Sequence, residues 1–186
     1  MDFSLSRTSE YNFPTVVKSA DGKEYLVRAD VRTVLTIFRL LTDNTVLTQH
    51  KPLLIQRLFF ISDVPQDGFE CFIRFMQSEG HSDAEPQDDF EFDAKEIYAD
   101  FVQFYHIDLM TEDVHWRKFL ILLANLPETS SLKKKIELRF ADTSKLKGKD
   151  RARMEEEKAK VQLPVRLTRE EQKAQEEFIK EWGSIE

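Results

Sequence analysis

The sequence predicts a mainly α protein: a compact multi-helix domain, opened by an N-terminal β-hairpin and followed by a charged helical C-terminal tail. Three observations carry that expectation. Residues 93–127 hold two helical patterns in succession across a short joint. Fifteen Phe against five Gly favour a packed core over loops. Asp21-Gly22, a strong tight-turn pair, sits between two short β-rich runs. With 186 residues the chain suits one domain plus an extension. Composition divides it into a flexible N-terminus at 1–12, a helical core at 13–140 with the hairpin at 14–28, and a charged extension, helical or partly disordered, at 141–186.

The runs Pro14 to Lys18 and Lys23 to Arg28 form the hairpin, which must lie on the helices through Val16, Tyr25 and Val27 or their neighbours, because two strands do not stand alone in water. Asp30 then caps a helix with Val31, Val34, Leu35, Phe38 and Leu41 on one face. Arg32, just behind the cap, reads as a solvated arginine, with a pair to a carboxylate elsewhere in the chain as the alternative. PLLIQRLFF continues as a helix from near Pro52, whose missing N–H costs little at a helix start. After a loop from Pro65 to Gly68, FECFIRFMQ sets Phe69, Phe72, Ile73 and Met76 at helical spacing, with Cys71 as a small core residue among them. Gly80 to Asp89 is a polar loop.

Asp93 and Glu96 have the spacing of a capping box, and Ile97, Phe101, Phe104 and Tyr105 recur behind them on one apolar face. Thr111, with Glu112 and Asp113, reads as the start of the next helix. Phe119 to Ala124 is apolar on every side, which predicts burial all round, and Pro127 ends the run. The core is therefore expected at Phe38, Ile97, Phe101, Trp116, Phe119, Leu120 and Leu123, with Leu126 behind them. SLKKKIELRF follows as an amphipathic helix, with Leu132, Ile136 and Phe140 as its stripe and Lys133 to Lys135 in water. Beyond Ala141 few apolar residues offset the cost of ordering. Thr168 and Glu171 give a last capping box, before a sticky edge of Ala174, Phe178, Ile179 and Trp182 that either docks on the core or holds a partner.

No constellation has catalytic, cofactor or metal spacing. Asp88, Asp89, Glu91 and Asp93 lack the turn glycine and twelfth-position carboxylate of a calcium loop. His50, His81, His106 and His115 are far apart. His115, beside Trp116, reads as a partly buried, hydrogen-bonded core histidine rather than a base. Isolated glycines exclude a phosphate cradle. A net charge of -7 argues against a general nucleic-acid binder. Lys145, Lys147, Lys149, Arg151 and Arg153 nonetheless form a basic cluster, followed at once by Glu155, Glu156 and Glu157. On a helix such blocks support each other at i, i+4, and the cluster alternatively grips an acidic partner or nucleic acid. No run is long enough to span a bilayer, and the N-terminus lacks a signal peptide's apolar centre.

DVRTVLTIFRLL, EIYADFVQFYHIDL, VHWRKFLILLANLPE and IELRFADTSKLKGKDR, in that order, resemble the bacteriophage gene-product-fifteen family of siphophages and prophages of Gram-positive bacteria. Two positions depart from its pattern: Arg117 where a second aromatic is common, and His106 where glycine is usual. The resemblance implies a non-enzymatic tail assembly chaperone, encoded just before the tape-measure protein. Its partners would be that protein, and also the tail-tube protein or a second tail chaperone, with no membrane and no cofactor. It would work in the host cell cytoplasm and be absent from the mature virion. Phe178, Ile179 and Trp182, with Lys145, Lys147, Lys149, Arg151 and Arg153 as a clasp, are the candidate partner-binding residues. A structural tail or connector component of the virion, or a small nucleic-acid-binding regulator using 145–153, are the alternatives, and the oligomeric state stays open.

Overall fold

A computed structural model describes residues 13–77 and 88–164. Residues 1–12, most of the predicted Gly80–Asp89 loop, and Phe178, Ile179 and Trp182 lie outside the described residues. The protein is mainly helical with a small antiparallel hairpin, as the sequence predicts. Strands β1 (Val16–Lys18) and β2 (Glu24–Leu26) precede α1 (Val31–Thr42), α2 (Lys51–Phe59), α3 (Gly68–Gln77), α4 (Ala94–Asp100), α5 (Trp116–Ala124), α6 (Ser131–Phe140) and α7 (Gly148–Val161). A short 3₁₀ turn, Thr48–His50, leads into α2, and α4 runs on into a wider π-helical turn at Phe101–Tyr105.

Gly22 turns the hairpin with a positive φ of 82°, a conformation open to glycine because it has no Cβ. Val17 pairs with Tyr25 on the core side, and Val16 pairs with Leu26 on the outer one. Of the residues expected to face the helices, Tyr25 and Val27 do so, and the neighbour Val17 takes the place of Val16, which is 39% exposed. Strand alternation puts neighbours on opposite faces, so Val17, Tyr25 and Val27 must share the inner side. Val27 also bridges to Phe60, with Arg28 N–H donating to the Phe59 carbonyl at 2.7 Å.

Helix ends follow simple electrostatics. Asp30 Oδ1 accepts from Thr33 N–H at 2.9 Å to cap α1, and Lys51 Nζ donates to the Leu41 carbonyl at 2.6 Å at its far end. Arg28 donates in the same way to the Leu58 carbonyl, 3.0 Å away, where α2 ends. Of the expected face, Val31 and Val34 are buried together with Ile37, Leu35 and Phe38 are partly buried, and only Leu41, 41% exposed, turns outward. The apolar stripe is wide enough for two faces; α2 and α5 pack on α1, and Phe38 meets Trp116 of α5 at 5.5 Å.

Two aromatic groups fill the core. Phe59 meets Phe60, Phe72 and Phe75 at centroid distances of 5.2, 5.3 and 5.2 Å. Phe119 stacks between Phe101 at 5.1 Å and Trp116 at 5.4 Å, and Trp116 carries Phe38 and Phe90 on its edges. Ile97, Phe101, Trp116 and Phe119 are buried, while Phe38, Leu120 and Leu123 are partly buried against that core. Burial of α5 all round is not found: Ile121 is 38% exposed.

The two central helices are joined by residues 106–115 rather than by a short joint. Thr111 does not cap α5. Residues 29–31 and 114–116 pair as extended chain, Val31 N–H donating to the Val114 carbonyl and Trp116 N–H to that of Ala29, so the helix cannot begin before Trp116. His115 is its cap instead. His115 Nδ1 accepts from Arg117 N–H at 3.1 Å and Nε2 donates to the Pro14 carbonyl at 3.0 Å. Burial, first of all, pushes its pKa below the ordinary 6.5. His106, just after the π-helical turn, is left-handed at φ 54°, which is why glycine suits that position.

Candidate interaction surface

The segment before α4 is held in place by charge. Asp93 occupies the N-cap of α4, yet its side chain caps nothing there. The carboxylate is fully buried and accepts from Arg139 Nη2 at 2.9 Å, Lys135 Nζ at 2.8 Å and the Asp89 N–H at 3.0 Å. The expected capping box is thereby corrected: Glu96 turns to Lys135, 3.0 Å away, instead of back to the Asp93 backbone. Burial alone would raise the pKa of Asp93, but the hydrogen bonds from Arg139 and Lys135 outweigh it and hold the carboxyl below its ordinary 3.8. Burial likewise opposes the charge of Lys135, and the bonds to Asp93 and Glu96 raise its pKa over that cost.

Lys135 is therefore not in water, and the α6 stripe differs from the expected one. Leu132 is buried, Ile136 partly so, and Phe140 is 59% exposed because Arg139 takes the inward position beside it. The ammonium of Lys135 lies over the Phe92 ring, 4.5 Å from its centroid, while it pairs with both carboxylates. At the other end of α4, buried Asp100 accepts from the Ser131 and Leu132 N–H groups at 2.9 and 2.8 Å. Ser130 Oγ accepts from Lys133 N–H at 3.3 Å, so three free N–H groups at the start of α6 are satisfied by side chains.

So pinned, the turn at 88–91 faces α1 across an open groove of about 830 Å³. Leu35, Phe38 and Leu41 line the α1 wall, with Phe90 between the walls. Phe38 and Phe90 stack at 6.1 Å and rest on Trp116. Asp88, Asp89 and Glu91 supply the acidic wall, and Arg39 reaches across to Glu91 at 3.8 Å. Asp88 is half-buried and has no ion pair among the described residues. Burial, followed by the nearby Asp93, pushes its pKa above 3.8.

Lys145, Lys147, Lys149, Arg151 and Arg153 are exposed, and Arg151 pairs with Glu155 at 2.7 Å one helical turn on. Helix α7 folds back on α6, where Arg139 Nε donates to the Val161 carbonyl at 2.6 Å. Arg32 is not merely solvated: it pairs with Asp113 and donates to the Met110 carbonyl at 2.9 Å. Cys71 is 1% exposed, and burial pushes its thiol pKa up, away from reactivity. The groove walls were missed in the sequence. The available signal was Leu35, Phe38 and Leu41 at three-residue steps, a second stripe beside Val34 and Ile37. Among the described residues no cluster of His, Cys, Asp and Glu is placed to hold a metal, and no helix is long and apolar enough to cross a membrane.

A family model described as Bacteriophage Gp15 protein matches residues 14–163. No curated protein and no solved structure matches the chain.

Proposed function

We propose that this chain, which belongs to the bacteriophage Gp15 protein family, is a tail assembly chaperone that acts by binding, without turnover. It holds the tape-measure protein soluble in the host cytoplasm until tail-tube subunits assemble around it, and it leaves before the particle is finished. The observation that supports this reading is the open groove beside α1. Leu35, Phe38, Leu41 and Phe90 offer water an apolar trough lined mainly by one helix and one pinned turn, the shape that receives the apolar face of another helix.

Co-expression tests it. The tape-measure protein is expected to stay in the soluble fraction and to co-purify with the chain, and mass spectrometry of purified particles is expected to find no stoichiometric amount of it. A tape-measure protein equally soluble alone, with nothing co-purifying at low and moderate salt, overturns the proposal. A stoichiometric copy number in the particle turns it into the structural-component reading.

A further inference from the structure

The two walls of the groove differ in chemistry, and the difference specifies an occupant. Leu35, Phe38 and Leu41 make an apolar stripe about 9 Å long at 1.5 Å per helical residue, close to two turns of a facing helix. The charged groups on the groove are three carboxylates, Asp88, Asp89 and Glu91, against one guanidinium, Arg39. That guanidinium already faces Glu91, across the mouth, in a pair whose side chains are 79% and 59% exposed. Such a pair is weak and readily exchanged. Asp89 Oδ1 is engaged by the Glu91 and Phe92 N–H groups of its own turn, whereas Asp88 lines the groove with no salt bridge among the described residues, Arg139 and Lys133 acting on it only from further off.

We propose that the groove takes about two turns of an amphipathic partner helix, its apolar side chains on Leu35, Phe38 and Leu41 and its bordering lysines or arginines on Asp88 and Glu91. This rests on the reading that the protein holds a helical partner, and it adds where that helix sits and which charge it carries. Burial and the neighbouring Asp93 disfavour the Asp88 anion more than Arg139 and Lys133 favour it, so a further cation lying in the groove beside it favours the ionised form, and binding strengthens as pH rises through the raised pKa of that carboxyl. Specificity follows from the same wall, since an acidic helix would meet like charge there.

The test titrates the unaltered full chain by calorimetry. Three synthetic helices of about five turns are used: a leucine stripe flanked by lysines, the same stripe flanked by glutamates, and a scrambled lysine peptide. The lysine-flanked helix is expected to bind at least about tenfold more tightly than either other peptide, with affinity falling as salt rises. Leu41→Glu, and separately Asp88→Asn with Glu91→Gln, are each expected to weaken it about tenfold. Leu41 and Glu91 are on the surface, and an unchanged melting curve shows that the fold is kept.

Equal binding of the lysine and glutamate helices, or indifference to Leu41→Glu, overturns the assignment. So does sedimentation showing the groove closed by a second copy of the chain, released by Leu41→Glu. Tape-measure protein that still co-purifies with Leu41→Glu defeats only the groove. Tape-measure protein that never co-purifies with the unaltered chain defeats the chaperone reading itself.

Discussion

Helices α6 and α7 pack against each other and are both rich in lysine and arginine, yet they use charge in opposite ways. On α6, Arg139 is 4% exposed and Lys135 bridges two carboxylates from the neighbouring helix and its cap. On α7, Arg151 with Glu155 and Lys160 with Glu156 pair within the helix and stay in solvent. The lesson is that a charged helix is not one kind of object. Long-range pairs fasten α6 into the domain, whereas i, i+4 pairs only support α7 in its own shape.

The largest effect should come from Arg139→Ala, which leaves the buried Asp93 carboxylate to Lys135 alone and frees the end of α7. A loss of about 3 kcal/mol is expected in urea unfolding. Replacing the pair with Asp93→Leu and Arg139→Met should cost less than Arg139→Ala alone, because no half-paired buried charge remains and Lys135 keeps Glu96. Additive losses would break the comparison. Asp100→Ala should come next, at about 1–3 kcal/mol, since two N–H groups at the start of α6 lose their acceptor.

A pH series sharpens the contrast. His115 and Asp93 both have pKa values below their ordinary 6.5 and 3.8, so in each case the unfolded chain takes up the proton first as pH falls. Stability should therefore be fully present above pH 6.5, begin to fall below it through His115, and fall again below pH 3.8 through Asp93. Asp88, with its raised pKa, works the other way and partly offsets the acid loss. The smallest effect should be that of Arg151→Ala: no resolvable change in urea midpoint, and none in molar salt, which screens exposed pairs. A midpoint shift comparable to that of Arg139→Ala would erase the distinction between the two helices.

The sequence shows where apolar spacing, Pro and Gly punctuation are strong: the Asp21-Gly22 turn, α2 from Pro52, α3, α6, and the Asp30 cap all lie where their residues say. Partner-dependent features were not legible. Thr111 looks like a better cap than His115, but pairing of residues 114–116 with 29–31 decides the start of α5, and that pairing spans distant sequence. Lys133, Lys134 and Lys135 look alike on paper. Only the third has a buried carboxylate within reach of its stem. Nor does any local pattern reveal that Asp100 serves a helix that begins 31 residues later.

That last contact bears on synthesis. A ribosome that has released the chain only as far as Pro127 has emitted Asp93 and Asp100 but none of Ser131, Leu132, Lys135 or Arg139. Both carboxylates must then stay hydrated, and α4 cannot settle among the aromatic rings. The domain should thus resist nascent closure, ripening only once residue 139 has cleared the exit tunnel, and fragments ended before it should be degraded rather than stored.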